Sequence, residues 1–120
     1  MAILTLIKDY WLALTLFILF CITTLSLWPA ESLPQVPGTD KTHHFIAYGL
    51  LVLPTALKKP NGWIYIALAF MAFSGVIELI QPYVNRYGEW LDMLANVVGL
   101  FCGIIIATIL NYFTTPVYKK

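Results

Sequence analysis

Charged and hydrogen-bonding side chains gather near the ends of apolar segments in this chain, at spacings suited to a binding or acid–base site. Glu78 and Gln81 are three residues apart, and Asp92 and Asn96 are four apart. Residues three or four apart lie on one face of a helix. Because an ionised group within a bilayer is costly, such side chains usually pair, face the interior of a helix bundle or mark a functional site.

A further polar set lies at the start of an earlier apolar segment. Asp40, His44 and Tyr48 are spaced by four residues, and Lys41 precedes His44 by three. A helix here would therefore align these side chains on neighbouring positions of one face. His43 points about 100° away from His44 on the same helix, and we expect it at the membrane interface.

The segments that must position these residues are strongly hydrophobic. Of the 120 residues, 60% are hydrophobic and 11% are charged, whereas about 25% of the residues in a typical globular domain are charged. Four apolar stretches approach or exceed the length of about 17 to 25 residues that crosses a bilayer as a helix; they cover about 10–28, 40–57, 63–81 and 90–113. The sequence predicts an all-α polytopic membrane bundle of four transmembrane helices, forming one domain over residues 1–120.

Short connections predict how these helices alternate. The turn at 58–62 contains Pro60 and Gly62, so the second and third spans should form an antiparallel hairpin, and Pro82 should stop the third span. Alternating directions bring the starts of the second and fourth spans to the same depth as the end of the third. We therefore expect the polar residues to converge on one pocket, with Arg86 on the loop above it.

The distribution of basic residues predicts the orientation. Five lysines lie at one set of span ends, and the other set carries Lys41 and Arg86. Cytoplasmic ends carry the excess of Lys and Arg, so both termini should be cytoplasmic and the pocket should face outward. The first apolar run is longer than the core of a signal peptide, which favours an uncleaved span.

Taken together, the motifs resemble those of a known family. Over about residues 38–103 the pattern is similar to the signature of VanZ-like integral membrane proteins: Asp40-Lys41-x-x-His44-Phe45-x-x-Tyr48, then Glu78-x-x-Gln81-x-x-x-x-Arg86, then Asp92-x-x-x-Asn96-x-x-Gly99. The resemblance implies a protein of the bacterial cytoplasmic membrane with a role in the cell envelope. The family name comes from a protein associated with resistance to teicoplanin, a glycopeptide antibiotic. The resemblance supplies motif positions, and the catalytic residues remain unknown.

Our first hypothesis is a pocket that binds the polar or anionic headgroup of a membrane lipid or of a lipid-linked envelope precursor. Cationic side chains would contact phosphate or carboxylate, and amides and carboxylates would contact sugar or amide groups. The predicted ligand-binding residues are Asp40, Lys41, His44, Tyr48, Glu78, Gln81, Arg86, Asp92 and Asn96.

The second hypothesis is structural. Asp92 and Asn96 could hydrogen-bond to neighbouring helices, with Arg86 as an ion-pair partner, and lock a bundle that assembles with itself or with another envelope protein. Gly99 and Gly103 are four apart and favour close helix packing. The net charge of +1 provides no basic patch, so nucleic acid is excluded as a partner.

The third hypothesis is a hydrolase or transferase acting on an envelope lipid, with Glu78 or Asp92 working through His44 as general acid and base. No recognisable serine–base pattern is present, so the sequence favours a protein that is not an enzyme. His44, Glu78 and Asp92 are also ligand types for zinc or manganese. Because the chain has no His-x-x-x-His or Cys-x-x-Cys pair, the sequence predicts no metal and no cofactor.

Overall fold

The computed structural model describes residues 2–28, 40–84 and 90–114. These residues form helices and short turns, without a strand, so the all-α prediction is confirmed. In chain order the elements are α1 (Ala2–Asp9), α2 (Trp11–Leu27), α3 (Asp40–Lys58), α4 (Trp63–Ile80), a short 3-10 helix (Gln81–Val84) and α5 (Trp90–Thr114).

The helix α1 is an addition to the predicted elements. The chain bends by 75° between α1 and α2, at Tyr10, which has a φ of −106° and a ψ of 23°. Leu4 of α1 is buried in one cluster with Leu57 of α3 and Ala107 of α5. The helix α1 therefore packs against the C-terminal parts of α3 and α5.

The helix α3 lies at the centre of the bundle and contacts α1, α2, α4 and α5. Its side chains Tyr48, Leu51 and Val52 are almost completely buried, in one cluster with residues of the surrounding helices. The outer faces of those helices instead expose large apolar side chains, including Phe20 and Leu79 at 68% and 73%. Such extensive exposed apolar surface fits a lipid environment rather than water.

Two glycines of α5 allow α3 and α5 to approach closely. A Cβ atom at Gly99 would collide with the carbonyl oxygen of Phe45, and one at Gly103 would lie 2.6 Å from the carbonyl oxygen of Gly49. Further along the same pair of helices, Asn111 Nδ2 donates to the Leu57 carbonyl oxygen at 3.1 Å. In all three contacts the residue of α5 follows its partner in α3 by the same number of positions along the chain. The two helices therefore run parallel and in register.

Fewer of the observed helices are long and apolar enough to be membrane spans than the four that the sequence predicts. Among the described residues, Trp63–Val84 and Trp90–Thr114 are each long and apolar enough to cross a membrane, and α1 with α2 adds a third if the bent pair is one span. The helix α3 does not belong to this group. It carries Lys41 and Lys58 at its ends, and its polar face is covered by other helices rather than by lipid. A polytopic helical bundle is supported, and the count of four spans stays a prediction.

Candidate functional site

Three helix ends bring one histidine and two carboxylates together. His44 lies in the second turn of α3, Glu78 in the last turn of α4 and Asp92 in the first turn of α5. One nitrogen or oxygen ligand atom from each side chain lies within 4.8 Å of the other two. We call these three residues the polar trio. Its groups could exchange protons with a ligand, accept hydrogen bonds or hold a cation.

The buried amide of Asn96, on α5, contacts His44 of the trio on α3 and Ser74 on α4. Its Oδ1 atom lies 3.0 Å from His44 Nδ1, and its Nδ2 atom donates to Ser74 Oγ at 2.8 Å. In this arrangement Asn96 Oδ1 accepts a hydrogen bond from the Nδ1–H group of His44. A neutral His44 then has its unprotonated Nε2 on the side of Asp92 Oδ2, at 3.9 Å.

Asp92 has a second charged neighbour in Lys41. The Lys41 Nζ atom lies 3.7 Å from Asp92 Oδ1, and the lysine side chain is 45% exposed whereas that of Asp92 is 8% exposed. The two groups form an ion pair, but their separation is too long for a hydrogen bond. Within the described residues Asp92 Oδ1 has no hydrogen-bond partner. A nearly buried carboxylate oxygen is therefore open to a further donor or cation.

Tyr48 brings a buried hydroxyl to the same region, one turn after His44. The residue is 1% exposed, and its polar neighbours are Ser74 and Glu78. Its hydroxyl makes no hydrogen bond of regular geometry among the described residues, and Ser74 is close enough for a weaker interaction. Leaving a buried polar group unsatisfied costs about 1–3 kcal/mol, which favours a role for this hydroxyl towards a further polar group.

Gln81 is buried but is engaged by a different helix. Its Nε2 atom donates to the carbonyl oxygen of Ser26, near the end of α2, at 3.1 Å. The residue begins the 3-10 helix that continues past α4 and contains Pro82. Gln81 therefore links α2 to the end of the bundle that holds the polar trio.

Two predicted site residues cannot be compared with this geometry. Arg86 lies outside the described residues, and Asp40 begins α3 although its side chain is not among those described. Ser74, which accepts the hydrogen bond from Asn96, is a contributor that the sequence did not indicate. It precedes Glu78 by four positions, so the helical spacing that linked the other polar residues would have placed Ser74 on the same face.

Two apolar grooves lie beside polar residues of the site. A groove of about 590 Å³ between α4 and α5 is lined by Gly75, Leu79, Trp90 and Met93 among others, with Glu78 as its charged residue. A second groove of about 420 Å³ lies between α3 and α5. Its walls include Phe45, Leu91, Leu94 and Val98, and Lys41 and Thr42 are its polar residues.

Comparison with known protein families gives one finding that covers most of the chain. The model of the family described as VanZ/LLP1 matches residues 3–111. This range includes all of the polar residues described above. Neither the curated proteins nor the solved structures contain a significant match.

Proposed function

Because the chain belongs to the VanZ/LLP1 family, the VanZ-like membrane proteins, we propose that it binds the polar or anionic headgroup of a membrane lipid or of a lipid-linked envelope precursor. The headgroup would bind at the polar trio and at Lys41, Tyr48 and Asn96. The observation that carries this proposal is the position of charged side chains in grooves that are otherwise apolar. A membrane lipid has the same arrangement, with a polar group joined to hydrocarbon.

The groove between α4 and α5 supports the binding of an acyl or polyprenyl chain. Trp90 is 74% exposed and Leu79 is 73% exposed, and both line this groove together with Glu78. Ligand sites commonly combine apolar walls with a few well-placed polar groups that fix the ligand's orientation. A hydrocarbon chain in this groove would bring its headgroup to the Glu78 side of the trio.

The groove between α3 and α5 supports recognition of an anion. Lys41 lines this groove and keeps 45% of its side chain exposed beside Asp92. An ammonium group in that position could bind a phosphate or carboxylate at the bilayer surface. Arg86, which lies outside the described residues, would add a second cation in this proposal, and Arg86→Ala should weaken the binding of an anionic headgroup.

The proposed setting is the bacterial cytoplasmic membrane, with both termini in the cytoplasm and the site facing outward. The excess of lysine at the opposite span ends supports this orientation. An outward-facing site would have access to lipids and lipid-linked precursors of the cell envelope.

Native mass spectrometry of gently extracted protein tests headgroup binding. We expect wild type to retain a defined anionic lipid and Lys41→Ala to retain it about tenfold less, which corresponds to about 1.4 kcal/mol. Lys59→Ala is the matched control, because Lys59 lies after α3 at the opposite end and stacks on Trp63 with its Nζ 5.8 Å from the ring centroid. Equal lipid retention by both variants would refute the assignment of Lys41.

The main alternative function is structural, and Asn96 is the observation that favours it. This residue is fully buried and links α3, α4 and α5 through His44 and Ser74. Such a network could lock a bundle that pairs with a second copy or with another envelope protein. This alternative predicts that Asp92→Asn lowers stability or assembly in detergent while lipid occupancy stays unchanged.

The proximity of the trio also favours a test for catalysis. Glu78 or Asp92 with His44 could transfer protons during hydrolysis or transfer of an envelope lipid. An enzyme of this kind would convert the lipid identified by mass spectrometry, and Glu78→Gln would stop the conversion while the fold persisted. Full turnover by the folded variant would exclude Glu78 as the acid or base.

A further inference from the structure

We propose that His44, Glu78 and Asp92 bind one divalent transition-metal ion, Zn²⁺ or Mn²⁺. The ligands would be His44 Nε2 and one carboxylate oxygen from each acidic residue. The inference does not depend on headgroup binding, because it concerns the metal alone. The three helices jointly supply the ligand set that no short sequence motif provides.

The distances suit a metal site that closes slightly when the ion binds. The three ligand atoms lie within 4.8 Å of one another. Ligands at about 2.0–2.2 Å from a tetrahedral zinc ion lie about 3.4 Å apart, so the trio would contract by up to about 1.4 Å. Rotation of side chains on three separate helices can provide such a movement. One imidazole with two carboxylates is a ligand set accepted by Zn²⁺ and by Mn²⁺.

The hydrogen bonds around His44 prepare it as a ligand. A histidine that binds a metal usually donates its other ring N–H to a carbonyl or carboxylate oxygen, which fixes the tautomer and the orientation of the ring. Asn96 Oδ1 provides this acceptor at 3.0 Å from Nδ1, and the amide is itself held by Ser74 at 2.8 Å. The lone pair on Nε2 is then on the side of Asp92 Oδ2, 3.9 Å away.

A lone pair that faces a carboxylate needs a positive charge between the two groups. That charge could be a proton, which would make His44 a cation paired with Asp92, or a metal ion bound by both side chains. Glu78 favours the metal ion, because it brings a second carboxylate within the same 4.8 Å and completes a set of one imidazole and two carboxylates that Zn²⁺ and Mn²⁺ accept. Lys41 is exposed enough to move away from Asp92 when an ion enters.

Two buried oxygens provide independent support for a bound ligand. Asp92 Oδ1 and the Tyr48 hydroxyl make no hydrogen bond of regular geometry among the described residues, although Lys41 lies 3.7 Å from the first and Ser74 interacts with the second. The two residues are only 5% and 1% exposed. The Tyr48 hydroxyl has Glu78 as a neighbour. A metal ion with its remaining water ligands would satisfy a carboxylate oxygen directly and a nearby hydroxyl through water.

A titration of the chelator-treated protein in detergent with Co²⁺ tests the site. Co²⁺ is the spectroscopic probe, and competition with Zn²⁺ and Mn²⁺ then establishes the preferred ion. We expect one ion per chain in wild type and at least tenfold weaker binding in His44→Ala and Glu78→Gln. His43→Ala and Asp9→Asn are matched controls that should bind the ion as wild type does, because neither residue belongs to the trio.

A second measurement covers the case in which His44→Ala fails to fold. Glu78→Gln preserves the size of the side chain, so the rise in Tm caused by Zn²⁺ or Mn²⁺ can be compared between this variant and wild type. We expect the rise in wild type and its loss in the variant. Absence of metal binding by wild type, or equal binding by Glu78→Gln and wild type, would overturn the proposal and leave a proton on His44 as the charge facing Asp92.

Discussion

The Nδ1 atom of His44 lies 3.0 Å from the Oδ1 atom of Asn96, although 52 positions separate the two residues in the chain. The same Asn96 amide donates to Ser74. One buried side chain therefore orients the histidine of α3 and bonds to α4 as well. The orientation of His44 towards Asp92 depends on this amide, which explains why a residue outside the polar trio matters to the site.

Removing the Asn96 amide should destabilise the bundle. We expect Asn96→Ala to lower the free energy of unfolding by about 1–2 kcal/mol, because two interhelical hydrogen bonds are lost and average interhelical bonds in a membrane contribute about 0.6 kcal/mol each. Thermal unfolding in detergent measures the change. Asn111→Ala is the control, since Asn111 makes one interhelical bond and is only partly buried. A control variant that loses as much stability as Asn96→Ala would contradict the central position of Asn96.

Close packing of α3 and α5 predicts a difference between two glycine positions. Gly99→Ala should lower the free energy of unfolding by about 1–3 kcal/mol, because the new Cβ would collide with the Phe45 backbone. Gly75→Ala is the matched control, since its Cβ would meet the flexible Met93 side chain at 3.4 Å. We expect this control to be neutral or slightly stabilising, because alanine favours helix. Equal unfolding temperatures for the two variants would refute the close approach at Gly99.

The faces of the helices could be predicted from residue spacing, since His44 and Tyr48 or Asp92 and Asn96 must share a face if their segments are helical. The shared depth of these pairs followed from the short turns that force α3, α4 and α5 to alternate. The positions of the polar groups along the bundle therefore required no knowledge of tertiary contacts.

The partners of individual side chains could not be predicted in the same way. Spacing within one helix does not determine how that helix is rotated against its neighbours, so the bonds from Asn96 to Ser74 and from Gln81 to Ser26 are visible only in the structure. The bend at Tyr10 was missed because neither a proline nor a glycine marks it in the sequence. The burial of α3 explains why a helix with a polar start can belong to a membrane bundle.

The predicted orientation can be tested with single cysteines in a background that lacks Cys21 and Cys102. A cysteine at Tyr83, which is 88% exposed near the site, should react with an impermeant maleimide added to intact spheroplasts. A cysteine at Lys59 is the control at the other end and should react only after the membrane is permeabilised. Labelling in the reverse pattern would show that the site faces the cytoplasm.

The stability of Glu78→Gln in detergent, freed of lipid and metal, tests most directly whether the trio binds a ligand or acts as a structural lock. The carboxylates of Glu78 and Asp92 lie in one cluster whose ligand atoms are within 4.8 Å, and like charges this close repel. We predict that the variant has a Tm equal to or above that of wild type without ligand and gains no stability when lipid or metal is added. A lower Tm with unchanged ligand binding would show that Glu78 holds the fold together, and would contradict the proposed site.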